Sequence, residues 1–239
     1  MDNTNYFLLR RLHSLLGVFP LGIFLFNHLL TNSTLAISME FFEHKVALIH
    51  SLGPLLPFVE AVFIFIPLAI HIVLGVYIAL QSRIEIGAMN YGRNWAYAFQ
   101  RWTGWIALAY IAYHVIHLRF LHDMAAKPFS MVLAEMFTTM PMAALIVPIY
   151  IIGGLAVVYH FANGLCTFCM SWGLTIGPKS QQLVARAAIG LGAVLTLMLL
   201  TAVGASIRHG LSDDFRDGAK QQAMLEKLQS YHKASTEKE

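Results

Sequence analysis

Charge is scarce in this sequence. Lys, Arg, Asp and Glu together make up 12% of its 239 residues, against about 25% in soluble domains. A soluble fold of this size needs far more polar surface, so that class is excluded. Cysteine is almost absent: only Cys166 and Cys169 occur, which rules out a disulfide framework and a multi-cysteine cluster. Runs of like charge are missing too. The basic residues stand singly or in pairs at the ends of apolar stretches, so the net charge of +3 suits lipid headgroups and is no nucleic-acid signal. There is no internal repeat and no low-complexity tract.

Long apolar runs are what the sequence does have. Hydrophobic residues reach 57% and the mean hydropathy is +0.62. Five segments stand out, at 11–32, 57–82, 101–121, 142–170 and 184–207. Each is about as long as the ~20 residues that cross the hydrocarbon core, or longer. Pro20, Pro67, Pro148, Gly153 and Gly154 lie inside them, as membrane helices tolerate. Trp95, Trp102, Trp105 and Trp172 fall near their ends, where interfacial aromatics sit. The first run follows Arg10 and Arg11, as in a signal peptide, but no small-x-small cleavage pattern closes it, so it reads as a retained helix. The fold class is therefore an all-α membrane protein with five transmembrane helices. They form one domain over 1–210, in which helices one to four make a cofactor-binding bundle. Residues 211–239 are polar and mixed in charge, and read as a tail with a short solvated helix near 213–231.

Loop charge sets the orientation. Arg10, Arg11, Arg83, Arg93, Arg101, Lys179 and Arg186 flank one side, against Lys45 and Lys127, with Arg119 beside them, on the other. Positive residues stay inside. The N-terminus is expected in the cytoplasm and the C-terminus outside.

Four histidines lie within apolar runs, away from their ends: His28, His71, His114 and His160. An ionisable residue at membrane depth costs free energy and marks a functional site by default. Imidazole suits iron, and desolvation favours the neutral form that binds metal. Two histidines on opposite faces of a porphyrin leave the iron no open position, which suits electron transfer. Rise per residue pairs them. His28 lies ~25 Å beyond Arg11 and His114 ~20 Å beyond Arg101, both toward the outside. His160 lies ~27 Å along its inward-running helix and His71 ~21 Å along its own, toward the inside. The expected pairs are His28 with His114 for an outer haem and His71 with His160 for an inner one. His117, three residues after His114, is the rival ligand. His13 is ~22 Å from His28 and cannot share its haem. His44, His50, His122, His209 and His232 read as solvated. The C-x-x-C at Cys166 and Cys169 has no His after it, so covalent haem attachment is excluded. It is either small-residue packing near a helix end or a redox pair.

The segments RRLHSLLGVFPLGIFLFNHL at 10–29, IPLAIHIVLGVYIA at 66–79, YGRNWAYAFQRWTGWIALAYIAYHV at 91–115, HFANGL at 160–165 and SWGLTIGPKSQ at 171–181 resemble the succinate dehydrogenase cytochrome b subunit family, the single-chain, five-helix, two-haem type. The resemblance runs from about residue 6 to 207. It implies two haem b groups, with His28 and His114 as iron ligands of the outer one and His71 and His160 of the inner. It implies a flavoprotein (FAD) and an iron–sulfur subunit docked on the cytoplasmic face of a bacterial inner membrane. It also implies a quinone substrate, with menaquinone going with the two-haem type. His13, Ser14 and Arg101 are placed either at the inner haem's propionates or as interfacial anchors. Glu60, eleven residues before His71, is either a proton donor and acceptor for quinone or an interfacial carboxylate. The rival functions are the cytochrome b subunit of a hydrogenase or formate dehydrogenase, and a cofactor-free transporter that relays protons through buried histidines.

Overall fold

Apolar sequence without β-branched alternation or turn clusters folds as helix, since in lipid a helix satisfies its own backbone. The structure, a computed structural model, describes residues 3–81, 92–121, 127–139 and 141–236. Among them every regular element is helical. Arg83 and His122 lie outside the described residues, as do the side chains of Arg93 and His232.

The first apolar run forms α1 (Asn3–Val18) and α2 (Pro20–Ser33). Pro20 opens α2, where its missing N–H costs nothing. Phe19 still donates to the Leu15 carbonyl and Ile23 to that of Phe19, so the chain passes the proline almost unbroken. The second run holds α4 (Leu56–Glu60), a widened turn at Ala61–Phe65 and α5 (Ile66–Gln81). The third is α6 (Gly92–Val115), followed by a second widened turn at Ile116–Phe120. The fourth and fifth are α8 (Ala143–Ser171) and α9 (Pro178–Gly210). Among the described residues, four helical stretches are long and apolar enough to span a membrane: Asn5–Ala36, Gly53–Gln81, Ala143–Ser171 and Pro178–Gly210. The expected third span, within α6, is not among them, because Gln100, Arg101, Thr103 and His114 dilute it. The chain is an all-α, multi-pass membrane protein.

The connections are helical as well. Met39–His50 forms α3 and Phe129–Thr138 forms α7. The tail forms α10 (Asp213–Arg216) and α11 (Gly218–Thr236).

The chain divides into two compact units. The first takes Met1–Phe26, Val59–Ile111 and Gly153–Thr196. Here α1 packs along α5. Arg11 donates from Nε and Nη2 to the Ser171 carbonyl at 3.2 and 3.1 Å, placing a cation at the C-terminal end of α8, where the helix dipole favours it. Its guanidinium also lies over the Trp172 ring, 5.0 Å from the centroid.

The second unit takes Asn27–Phe58, Ala112–Ile152 and Leu197–Glu239. Its core includes α7, whose Met131, Val132, Leu133, Ala134, Met136 and Phe137 are buried. Pro128 provides no side-chain cap for α7. The carboxylate of the fully buried Glu43, on α3, accepts from the Ser130 backbone N–H at 2.7 Å instead, capping that helix from a neighbour. Helix α11 packs on α3, buries Leu228 completely and joins Lys227 to Glu40 at 2.9 Å. The tail helix is thus partly packed, where the sequence suggested a solvated one. His209, expected to be solvated, donates to the Leu35 carbonyl at 2.9 Å, and Arg208 donates to that of Ala36 at 3.0 Å.

Candidate functional site

Histidines converge in both units. In the first, His13 on α1, His71 on α5 and His160 on α8 form one cluster, with a ring nitrogen from each lying within 4.8 Å of the others. The His13 and His71 rings stack at 3.9 Å and 17°. His71 meets His160 edge to face at 6.2 Å. Each ring has its Nδ1 occupied by a backbone carbonyl of a neighbouring helix. His71 donates to the carbonyl of His13 at 2.9 Å, His13 to that of His71 at 3.0 Å, and His160 to that of Gln100 at 3.2 Å. A ring with Nδ1–H so engaged keeps Nε2 as its lone-pair nitrogen, the arrangement usual for a metal-bound histidine.

Glycines make these approaches possible. A Cβ on Gly17 would stand 2.6 Å from His71 Cε1, one on Gly75 would stand 2.9 Å from His13 Cε1, and one on Gly104 would stand 3.2 Å from His160 Cε1.

A polar network backs His160. Asn163 Nδ2 donates to Gln100 Oε1 at 2.7 Å and to the Ala96 carbonyl at 3.3 Å. Gln100 Nε2 donates to the His160 carbonyl at 3.0 Å. Sequence reasoning named neither Gln100 nor Asn163. The signal was there in the form of two amides at membrane depth, where unpaired polar groups are costly.

The other expected residues of this unit are also placed. Ser14 Oγ donates to the Arg11 carbonyl at 2.9 Å and accepts from Trp172 Nε1 at 3.2 Å. The Arg101 guanidinium lies over the Tyr97 ring at 4.4 Å. Glu60 is half-buried and immediately precedes the widened turn at Ala61–Phe65. Cys166 and Cys169 are unbridged.

In the second unit, the His28 and His114 rings meet edge to face at 5.7 Å. Asn32 Nδ2 donates to the His28 carbonyl at 2.8 Å and lies 3.5 Å from His28 Nε2. The Tyr150 ring stands 5.7 Å from His114, with Phe137 5.0 Å beyond it. His117 stacks on Tyr113 at 5.6 Å.

The expected quartet thus falls into two sets, His28 with His114 and His71 with His160, and His13 joins the second set. Each set offers imidazoles from separate helices in apolar surroundings, a donor chemistry suited to iron.

Residues 85–200 match the family described as succinate dehydrogenase/fumarate reductase transmembrane subunit. A curated relative, the succinate dehydrogenase cytochrome b558 subunit of Bacillus subtilis (strain 168), is 36% identical over 207 residues, covering 87% of this chain and the whole of the relative. The chain belongs to the succinate dehydrogenase/fumarate reductase transmembrane subunit family.

Proposed function

We propose that this chain is the membrane-anchoring cytochrome b subunit of a succinate:quinone oxidoreductase. Electrons pass through it between an iron–sulfur subunit and a membrane quinone, with menaquinone as the expected type. The observation that carries the reading is the separate gathering of His28 with His114 and of His71 with His160, each set within its own compact unit. The residues fit haem b. All ligand candidates are imidazoles, and Gly17 and Gly104 let the His71 and His160 rings approach the neighbouring helices. Haem b, when bound, would supply iron that carries one electron at a time.

The chain's own groups have defined tasks in this reading. His71 and His160 would hold one iron, and His28 and His114 the other. Tethered Nδ1 atoms fix the tautomer of His71 and His160. His13, Ser14 and Arg101 serve the propionates of the first unit's haem. Glu60 exchanges protons with quinone, a task for which a carboxyl in an apolar wall is suited. The basic connections carrying Arg83, Arg93, Arg101 and Lys179 face the cytoplasm of a bacterial cell and surround the iron–sulfur subunit. A flavoprotein with FAD completes the complex. Charge at such a rim acts mainly on orientation and partner choice. The N-terminus is inside and the C-terminus outside.

Single replacement of His28, His71, His114 and His160 by Ala, with haem measured per chain in the purified complex, tests the assignment. Each change is expected to remove one haem or convert its spectrum, and His117→Ala to keep both. A ligand whose replacement leaves two normal haems is wrongly assigned. His13 is the rival that the structure itself raises, since its ring stacks on His71 and its Nδ1 is tethered in the same way. His13→Ala is expected to retain both haems. Loss of one would make His13 a ligand.

A further inference from the structure

The three histidines of the first unit share one device. The carbonyl that each ring reaches belongs to the residue four positions before a glycine: His13 before Gly17, His71 before Gly75, Gln100 before Gly104. In a helix, the carbonyl of residue i accepts from the N–H of residue i+4. One lone pair is then still open, but a foreign donor must come in beside the Cβ of residue i+4. Glycine removes that Cβ. The distances quoted above, 2.6 to 3.2 Å from an added Cβ to the ring carbon, show that the ring occupies the space a side chain would fill.

The surroundings of His160 sharpen the point. Gln100 offers His160 Nδ1 two different partners, its side-chain amide nitrogen at 3.3 Å and its own carbonyl at 3.2 Å. The amide nitrogen is a donor. Paired with it, Nδ1 would be the unprotonated atom and Nε2 would carry the proton, leaving no lone pair for a metal. Paired with the carbonyl, Nδ1 carries the proton and Nε2 is free. Asn163 engages the amide oxygen of Gln100, and the amide nitrogen donates to the His160 carbonyl. The backbone carbonyl is therefore the acceptor available to the ring, and Gly104 keeps it accessible.

We propose that Gly17 and Gly104 are positioning residues for the electron-carrying site. By exposing the carbonyls of His13 and Gln100 to the ring N–H groups of His71 and His160, they fix the ligating tautomer and lower the midpoint potential of the iron. A histidine that donates to a carbonyl is a stronger electron donor to its metal, which favours the oxidised state. The proposal rests on the reading of His71 and His160 as haem ligands. Gly75 stands in the same relation to His13, which that reading leaves unligated.

The test uses the assembled complex carrying Gly17→Ala or Gly104→Ala. Haem per chain is measured first. Redox titration followed by haem absorbance then gives the midpoint of the haem that His160→Ala abolishes, and the electron paramagnetic resonance signal of its oxidised form reports the ligand field. Gly104→Ala, the milder change, is expected to keep haem, raise that midpoint and shift the resonance, with the other haem unmoved. Gly17→Ala is expected to do the same more strongly, or to shed that haem. If one variant sheds the haem, the other decides. Full haem at the wild-type potential in Gly104→Ala overturns the proposal. So does shedding by both variants, because the glycines would then only make room. A wrong ligand assignment would show separately, as haem retained in His71→Ala or His160→Ala.

Discussion

Glu60 stands at the start of a stretch where the helix widens by one residue, Ala61–Phe65. Such widened turns are frequent at functional sites. On the proposed function its carboxyl moves protons to and from quinone. Glu60→Gln keeps the shape and removes the titrating group. Quinone-linked turnover is expected to fall, while succinate oxidation with a dye acceptor at the flavoprotein stays normal. Unchanged quinone turnover would remove Glu60 from the chemistry. At this scale the histidine quartet was legible in sequence, because an ionisable residue within an apolar run is conspicuous. The glycines were not. Gly17, Gly75 and Gly104 look like ordinary membrane-helix glycines until the partner ring is seen against them. Sequence assigns His13 to the inner haem's propionates or to interfacial anchoring; the stacking of its ring on His71 comes from a crossing of α1 and α5 that no single-helix measure contains.

The elements most visible in sequence were the four long apolar helices, for which length and hydropathy suffice. The helix α6 begins before its apolar run, at Gly92, in a stretch rich in polar and aromatic residues. The helices α3 and α7 are hard to see in sequence, because ten to twelve residues are too few to span a bilayer and their apolar faces turn toward protein. The tail helix α11 was legible as helix, but its docking on α3 was not, since that depends on Leu228 and the Lys227–Glu40 pair. This pair has a pH signature. The Lys227 ammonium donates to the Glu40 carboxylate, which falls from its ordinary 4.5 to about 2. A carboxylate held low in the folded state contributes stability above 4.5 and loses it as pH falls toward 2. The contribution is small, because the pair is largely exposed and screened by salt. Hydrogen exchange in 218–236 is expected to speed up across that window and to do so less in Lys227→Ala, which lacks the pair. Equal pH response in both proteins would show that the pair does not hold the tail.

For the whole molecule, the distribution of basic residues matters as much as any contact. If Arg10, Arg11, Arg83, Arg93, Arg101, Lys179 and Arg186 mark the inside, the sequence places His71 and His160 toward the cytoplasm and His28 and His114 toward the outside, with Glu60 ~16 Å further out than His71 along its helix. On the proposed role of Glu60, quinone then reacts on the outer side. Electrons from succinate start at the negative inside and move toward the positive outside. Each gains up to ~2.3 kcal/mol per 100 mV of membrane potential, which is enough to help succinate reduce a quinone of low potential. The direction follows from the charge of the electron and the sign of the potential. In sealed vesicles with an outward-positive potential, an uncoupler is expected to slow reduction of the low-potential quinone by succinate, while dye reduction at the flavoprotein is unaffected. Valinomycin with potassium, which collapses the electrical component alone, is expected to reproduce most of the loss. A rate indifferent to both treatments would mean that no net charge crosses the membrane. Either the reactive quinone would then lie on the inner side, next to the cluster of His13, His71 and His160, with Glu60 an interfacial carboxylate, or a separate proton path would compensate the charge of the electrons.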